Sequence, residues 1–252
     1  CLKAVDQTLG GFQALVGPNA SGKTTFLDVI GLLSDLARNR GDVPAAIRAR
    51  SSNFADLLWN RQEDSFQMAV EAPIPSSIVG QMAEDKRRYS ILRYEVEIGL
   101  SQKTNEIGLN HETVWLREPA NEPKVELQRE LFPFVVDDTG SILSKSGKGF
   151  KAVITKKPGG NDNFYTEGKK SYMPSFRLGR TKSALSNIPA DRESFPVSSW
   201  FRDMLETGVQ TIVLNSQVIR QPSPPGLGFR FLTDGSNLPW VIDALQKDEA
   251  RY

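Results

Sequence analysis

The sequence predicts an α/β fold: a strand, loop and helix lobe carrying an antiparallel β subdomain and a β-rich, basic insertion. Three observations point there. Residues 12–36 pass from an apolar run through a glycine-bearing turn into apolar residues at three- and four-residue steps. Residues 65–74 and 89–100 change to a partly alternating, β-rich pattern. Residues 143–183 then become rich in Gly, Lys, Ser and Asn.

A chain of 252 residues can form one large domain, or a domain with an inserted subdomain, and can bury a sizeable core. Hydrophobic residues make up 39% and charged residues 24%, and no apolar stretch approaches the roughly 20 residues that span a bilayer. No membrane partner is expected. The lone Cys1 cannot form an intrachain disulfide, and no signal-peptide succession is present, so a cytoplasmic location is expected. With His111 as the single histidine, a metal should be bound by oxygen rather than by a histidine-rich site. The chain starts at Cys1 and stops at "ALQKDEARY", in what reads as a helix, so it is expected to be the N-terminal part of a longer protein.

Along the chain, "CLKAVDQTLGGFQALVG" reads as strand, turn, strand, the second strand ending at Gly17. Phe26, Leu27, Ile30, Leu33 and Leu36 form a helical stripe that runs to about Arg40, before Gly41. A weaker helix is expected near 43–60 and antiparallel strands at 65–74 and 89–100. "HETVWLREP" and "LFPFVVDDTGSIL" continue the β character. A helix over 198–208 precedes an apolar strand, 209–215. After a Pro-rich loop, Asp234, Ser236 or Asn237 can cap a last helix whose apolar face is Leu238, Val241, Ile242 and Leu245. These elements divide the chain into a lobe over 1–142, an insertion over 143–184 and a continuation of the lobe over 185–252.

Gly17, Gly22, Lys23 and Thr24 fit G-x-x-x-x-G-K-[ST] between the expected strand and helix. Glycines let the backbone curl so that successive N–H groups face an anion, and the following helix presents the positive end of its dipole. The pattern therefore predicts an ATP phosphate cradle formed by Gly17, Asn19, Ala20, Ser21, Gly22, Lys23, Thr24 and Thr25. In that cradle Lys23 reaches the β- and γ-phosphates, Thr24 ligates Mg2+ through its hydroxyl, and Thr25 bonds the α-phosphate. Mg2+ suits hard oxygen ligands of this kind.

The stretch "LVGPNASGKTTFLDVIGLLSDL" resembles the phosphate loop of ABC-type ATPases, in particular the bacterial branch of RecF-like, SMC-like and OLD-like proteins. Asn19 is the residue that favours this branch. "YEVEIGL", "HETVWLRE" and "DGSNLPWVIDAL" resemble later segments of the same head. The resemblance implies a two-lobed P-loop head in which ATP is sandwiched between two copies. A homodimer or other head-to-head assembly follows from it, as does ATP hydrolysis in the full-length protein, in a setting of DNA repair or phage defence. It also implies a signature segment, a Walker B strand and a catalytic glutamate, none of which this sequence displays. The catalytic residue is therefore unassigned, and this segment alone is expected to be inactive.

Three other features compete for roles. "FPFVVDD", with Asp137 and Asp138, could be a Walker B strand but reads as an ordinary strand ending in a turn. Asp137 and Gly140 give a GTPase-like spacing, yet no Asn-Lys-x-Asp segment exists to read guanine. Gln217 follows a strand and could sense Mg2+, with Gln221 an equal rival and a surface position the plainer reading. Glu112 matches a position in the resembled segment without an assignable role.

From Leu143 to Ser183, ten basic residues stand against Asp162 and Glu167, with Phe150, Phe164, Tyr165, Tyr172 and Phe176 interleaved. Phosphate contact with base stacking is one reading, with Lys156, Lys157, Lys169, Lys170, Arg177 and Arg180 as candidate contacts. A solvated hairpin region is the second reading. A surface for a nuclease or another effector protein is the third.

Overall fold

A computed structural model describes residues 2–38, 40–119, 140–213, 215–229 and 231–249. They form two compact units, Cys1–Glu206 and Thr207–Tyr252. "FPFVVDD" lies outside the described residues.

In the first unit, helix α1 (Lys23–Ala37) begins directly after Gly22 and buries Leu32, Leu33, Leu36 and Ala37. Of the expected stripe Leu33 and Leu36 are buried and Phe26 and Ile30 half-buried, whereas Leu27 is 59% exposed, and the helix ends at Ala37 rather than near Arg40. The chain reverses at Gly41, where φ is +65° and a Cβ would come within 2.5 Å of Ser183 Cβ and 2.9 Å of the Leu36 carbonyl. Helix α2 (Val43–Arg48) starts at once, because Asp42 accepts a bond from the Ala45 N–H at 2.9 Å and Pro44 sits in the first turn. The expected weaker helix near 43–60 is thus α2 followed by two 3-10 turns, Phe54–Leu57 and Trp59–Arg61.

Strands β1 (Ser65–Pro73), β2 (Ile91–Leu100) and β3 (Ile107–Arg117) pair antiparallel, with a short helix α3 (Ser76–Val79) between the first two. Alternation sets their faces. Leu92, Tyr94, Val96 and Ile98 are buried on one side of β2, while Arg93, Glu95 and Glu97 alternate with them on the other. Against the apolar side lies helix α4 (Pro196–Asp203), whose Phe201 ring meets Tyr94 edge-on at 5.8 Å. Strands β4 (Phe150–Lys156), β5 (Asp162–Phe164) and β6 (Ser175–Phe176) extend the same sheet in sequence order, all antiparallel. The basic stretch over 143–184 is therefore part of the main sheet, and the chain's two compact units divide at Glu206, well beyond it.

The expected strands at either end of the lobe are not formed among the described residues. Residues 2–16 form no strand or helix and bend at Lys3, Gly11 and Phe12, with Phe12 93% and Val16 88% exposed. An apolar extended run becomes a strand only when a neighbour takes up its N–H and C=O groups. In the 209–215 run, in the second unit, the Val213 N–H donates to the Thr233 carbonyl and the Asn215 N–H to the Asp234 carbonyl. Among its described residues that unit forms helices α5 (Ser216–Ile219) and α6 (Leu238–Glu249). Gly235 has φ +77°, and Asn237 opens α6, its carbonyl accepting the Trp240 and Val241 N–H groups. The Asn237 side chain also accepts the Leu232 N–H and donates to the Gly228 carbonyl.

Candidate functional site

The loop of residues 17–22 turns on three left-handed positions, Gly17 (φ +156°), Ala20 (φ +64°) and Gly22 (φ +87°). Gly22 immediately precedes α1, and no side chain caps that helix or places an acid in its first turn. The helix thus presents its first N–H groups and the positive end of its dipole with no carboxylate competing for them. A Cβ at Gly17 would approach Ser21 Oγ to 3.0 Å, and one at Gly22 would strike Leu2 Cδ2 at 2.4 Å.

Lys23 closes the loop. Its ammonium donates to the Gly17 carbonyl at 2.9 Å, to the Pro18 carbonyl at 2.6 Å and to Ser21 Oγ at 3.3 Å. A cation is thereby folded over the turn whose backbone curls at both glycines. Asn19, Ala20, Ser21, Thr24 and Thr25 are solvent-exposed, so the face that anions would approach is open.

The helix behind the loop is anchored by residues that motif reading alone misses. Arg50 binds Asp28 through Nε (2.7 Å) and Nη2 (3.0 Å), and Asp35 through Nη1 (2.8 Å). Ser34 donates to the Leu205 carbonyl at 2.6 Å inside the core. The far end of α1 is held by the 181–187 segment: Ser183 N–H donates to the Gly41 carbonyl, and Asn187 Nδ2 to the Arg40 carbonyl at 3.0 Å.

That segment is itself fixed by Glu112, which thereby acquires a role. Fully buried on β3, its carboxylate accepts from Tyr94 Oη (2.9 Å), Ser183 Oγ (2.6 Å), Ala184 N–H (2.6 Å) and Leu185 N–H (3.1 Å). Burial, with the neighbouring Glu112 charge, pushes the Tyr94 hydroxyl well above its ordinary pKa, so Tyr94 stays a donor.

A family model described as "AAA domain, putative AbiEii toxin, Type IV TA system" matches residues 12–243. The chain belongs to this AAA family. No curated protein and no solved structure matches it. An AAA domain of this kind is a P-loop, ATPase-like domain, and the loop just described is the part of the chain that carries the P-loop pattern.

The other sequence-derived candidates in this AAA domain are more scattered. Gln217 lies in the second unit, exposed in the first turn of α5, with its N–H bonded to Asn215 Oδ1. Lys157, Lys169, Lys170 and Arg177 are exposed. Lys156 is not: it is 3% exposed and paired with Asp162, so it is withdrawn as a phosphate contact. Arg180 is half-buried and spends its guanidinium on Asn110 Oδ1 and the Gly99 carbonyl. Among the described residues no group of three or more His, Cys, Asp or Glu side chains could hold a metal ion. The residues that fit a magnesium–nucleotide are those of the loop, where the Thr24 hydroxyl would supply a protein oxygen and phosphates the others.

Proposed function

We propose that this AAA domain binds ATP with Mg2+ at Gly17–Thr25. In the full-length protein, completed by a second head, it hydrolyses the ATP and so switches head engagement. The observation that carries the reading is the glycine-flanked loop that opens onto an uncapped helix with the Lys23 ammonium folded across it. Backbone N–H groups and the helix dipole bind the phosphates, Lys23 moves from the loop carbonyls to the β- and γ-phosphate oxygens, and Thr24 orients the metal. Bound Mg2+ neutralises phosphate charge. The ABC-type resemblance supports an assembly of two heads and a cytoplasmic setting of DNA repair or phage defence, with DNA or a nuclease as partner.

A second reading is a nucleotide-gated dimerisation module with little hydrolysis. It rests on the same loop geometry, which binds nucleotide whether or not hydrolysis follows, while Asp28 and Asp35, the carboxylates that follow the loop on α1, are engaged by Arg50 in holding that helix.

Turnover by the full-length protein with Mg2+ separates the two. The first reading expects ATP hydrolysis that Lys23→Ala abolishes; turnover that survives this substitution sinks it. ATP-dependent dimerisation without turnover, followed by sedimentation, establishes the module instead.

A further inference from the structure

Burial along α1 starts late. Leu32, Leu33, Ser34, Leu36 and Ala37 are buried, whereas residues 23–31, the half of the helix that carries the phosphate loop, include no buried residue. Polar contacts divide in the same way. Ser34 reaches the core through the Leu205 carbonyl, while ahead of it the ion pair that ties the loop half to a distant part of the chain, among the described residues, is that of Asp28 with Arg50.

Arg50 follows α2 and lies along the side of α1. Its fork takes both Asp28 oxygens, Nε at 2.7 Å and Nη2 at 3.0 Å, and Nη1 donates to Asp35 and to the Ala46 carbonyl at 2.8 Å each. Gly31, between the two acids on the helix, leaves the room: a Cβ there would come within 3.2 Å of Asp28 Oδ1 and 3.4 Å of Arg50 Nη2. Asp28 follows Thr24 by four residues, so the two share one side of α1 a single turn apart, and helical side chains lean towards the N-terminus. A loose carboxylate at this position, 46% exposed, would therefore face the phosphate-binding turn and repel an anion held there. Gripped by the guanidinium, it presents no net charge. Asp35 stands two turns further on, about 16 Å along the axis from Thr24, beyond effective reach of the loop.

We infer that Arg50 is a positioning residue for the nucleotide site, acting through Asp28. It draws the Asp28 carboxylate off the phosphate-binding end of α1, cancels its charge, and ties the unburied half of the helix to the segment after α2. Resting on the ATP reading above, this role adds a determinant of nucleotide affinity that lies outside the loop pattern and touches no nucleotide itself. Asp35 has no part in it beyond helping to seat the guanidinium.

The test is binding of a fluorescent ATP analogue with Mg2+ to the full-length protein, each variant compared with the parent protein at the same salt, alongside its unfolding midpoint. Arg50→Gln keeps a donor for the Ala46 carbonyl but no charge. It should weaken binding about tenfold at about 50 mM salt and less than about threefold at about 0.5 M, where the exposed Asp28 charge is screened. Adding Asp28→Asn should bring affinity back to within about threefold of the parent protein, whereas adding Asp35→Asn should not. Asp28→Asn alone should not weaken binding. Unchanged affinity in Arg50→Gln overturns the inference. So does a loss of affinity or of folding that Asp28→Asn fails to relieve, or that Asp35→Asn relieves equally, since Arg50 would then be a structural anchor alone. Lys23→Ala separates this failure from that of the ATP reading. Analogue binding that survives Lys23→Ala, or none by the parent protein, sinks both; binding that needs Lys23 and is indifferent to Arg50 sinks this inference only.

Discussion

Lys156 Nζ and Asp162 Oδ1 lie 2.6 Å apart across adjacent strands, with both side chains almost wholly buried. The pair is completed by backbone: Lys156 also donates to the Gly179 carbonyl at 2.8 Å, and Asp162 Oδ2 accepts the Leu178 N–H. It therefore ties β4 and β5 to the 178–179 segment, and removes one cation and one anion from the basic surface.

Breaking this pair from one side should be costly. Lys156→Met leaves the Asp162 charge buried without its cation, and a loss of about 3–5 kcal/mol is expected in denaturant unfolding. Adding Asp162→Leu should recover part of that loss, because the double variant has no uncompensated charge. Single-variant losses below about 1 kcal/mol would show that solvent reaches the pair.

Glu112 offers a second test. Each of its oxygens receives N–H or O–H donors, so Glu112→Gln must turn an amide N–H2 towards at least one of them. A stability loss of about 1–3 kcal/mol is expected. Since Glu112 fixes Ser183, Ala184 and Leu185, trypsin should also cut faster after Lys182. Unchanged melting and unchanged cleavage would contradict the role given to this carboxylate.

How far the sequence reveals all this depends on how local each signal is. The alternation of Leu92, Tyr94, Val96 and Ile98 with Arg93, Glu95 and Glu97 identifies β2 because one face is buried. The phosphate-loop pattern and the stripe of α1 are equally local. Strands β4 to β6 hide within Gly- and Lys-rich sequence, since their pairing is set by the neighbouring strand. The apolar runs at 12–16 and 211–213 read as strands, but strand formation needs a partner ladder that a local pattern cannot supply. Glu112 did leave a trace: it shares the inward parity of Val114 and Leu116, and an acid at such a position calls for internal donors. Nothing local distinguishes Lys156, which finds Asp162, from Lys157, which faces solvent.

Glu167 should make stability fall as pH rises. Its carboxylate sits at the start of α4, accepting the Val197 N–H at 2.6 Å, the Ser198 N–H at 3.1 Å and the Ser198 hydroxyl. Burial raises its pKa from 4.5 to about 7, against the pull of the Ser198 and Val197 bonds and of Lys86. Lys86 itself donates to the Thr166 carbonyl at 2.6 Å. Asp191, in the neighbouring loop, is held in its ionised form by Ser194 and does not titrate in this window. Below about pH 4.5 both the folded and unfolded chains carry the Glu167 proton. Between there and about pH 7 only the folded chain does, so raising the pH through this window withdraws stability, by at most about 3 kcal/mol at 1.36 kcal/mol per unit. Glu167→Gln keeps an acceptor for the α4 N–H groups and cannot ionise. Melting curves from pH 5 to 8 should therefore show the variant gaining on the parent protein as pH rises. Parallel curves would mean that Glu167 is already ionised at pH 5, held by the N-terminal N–H groups of α4.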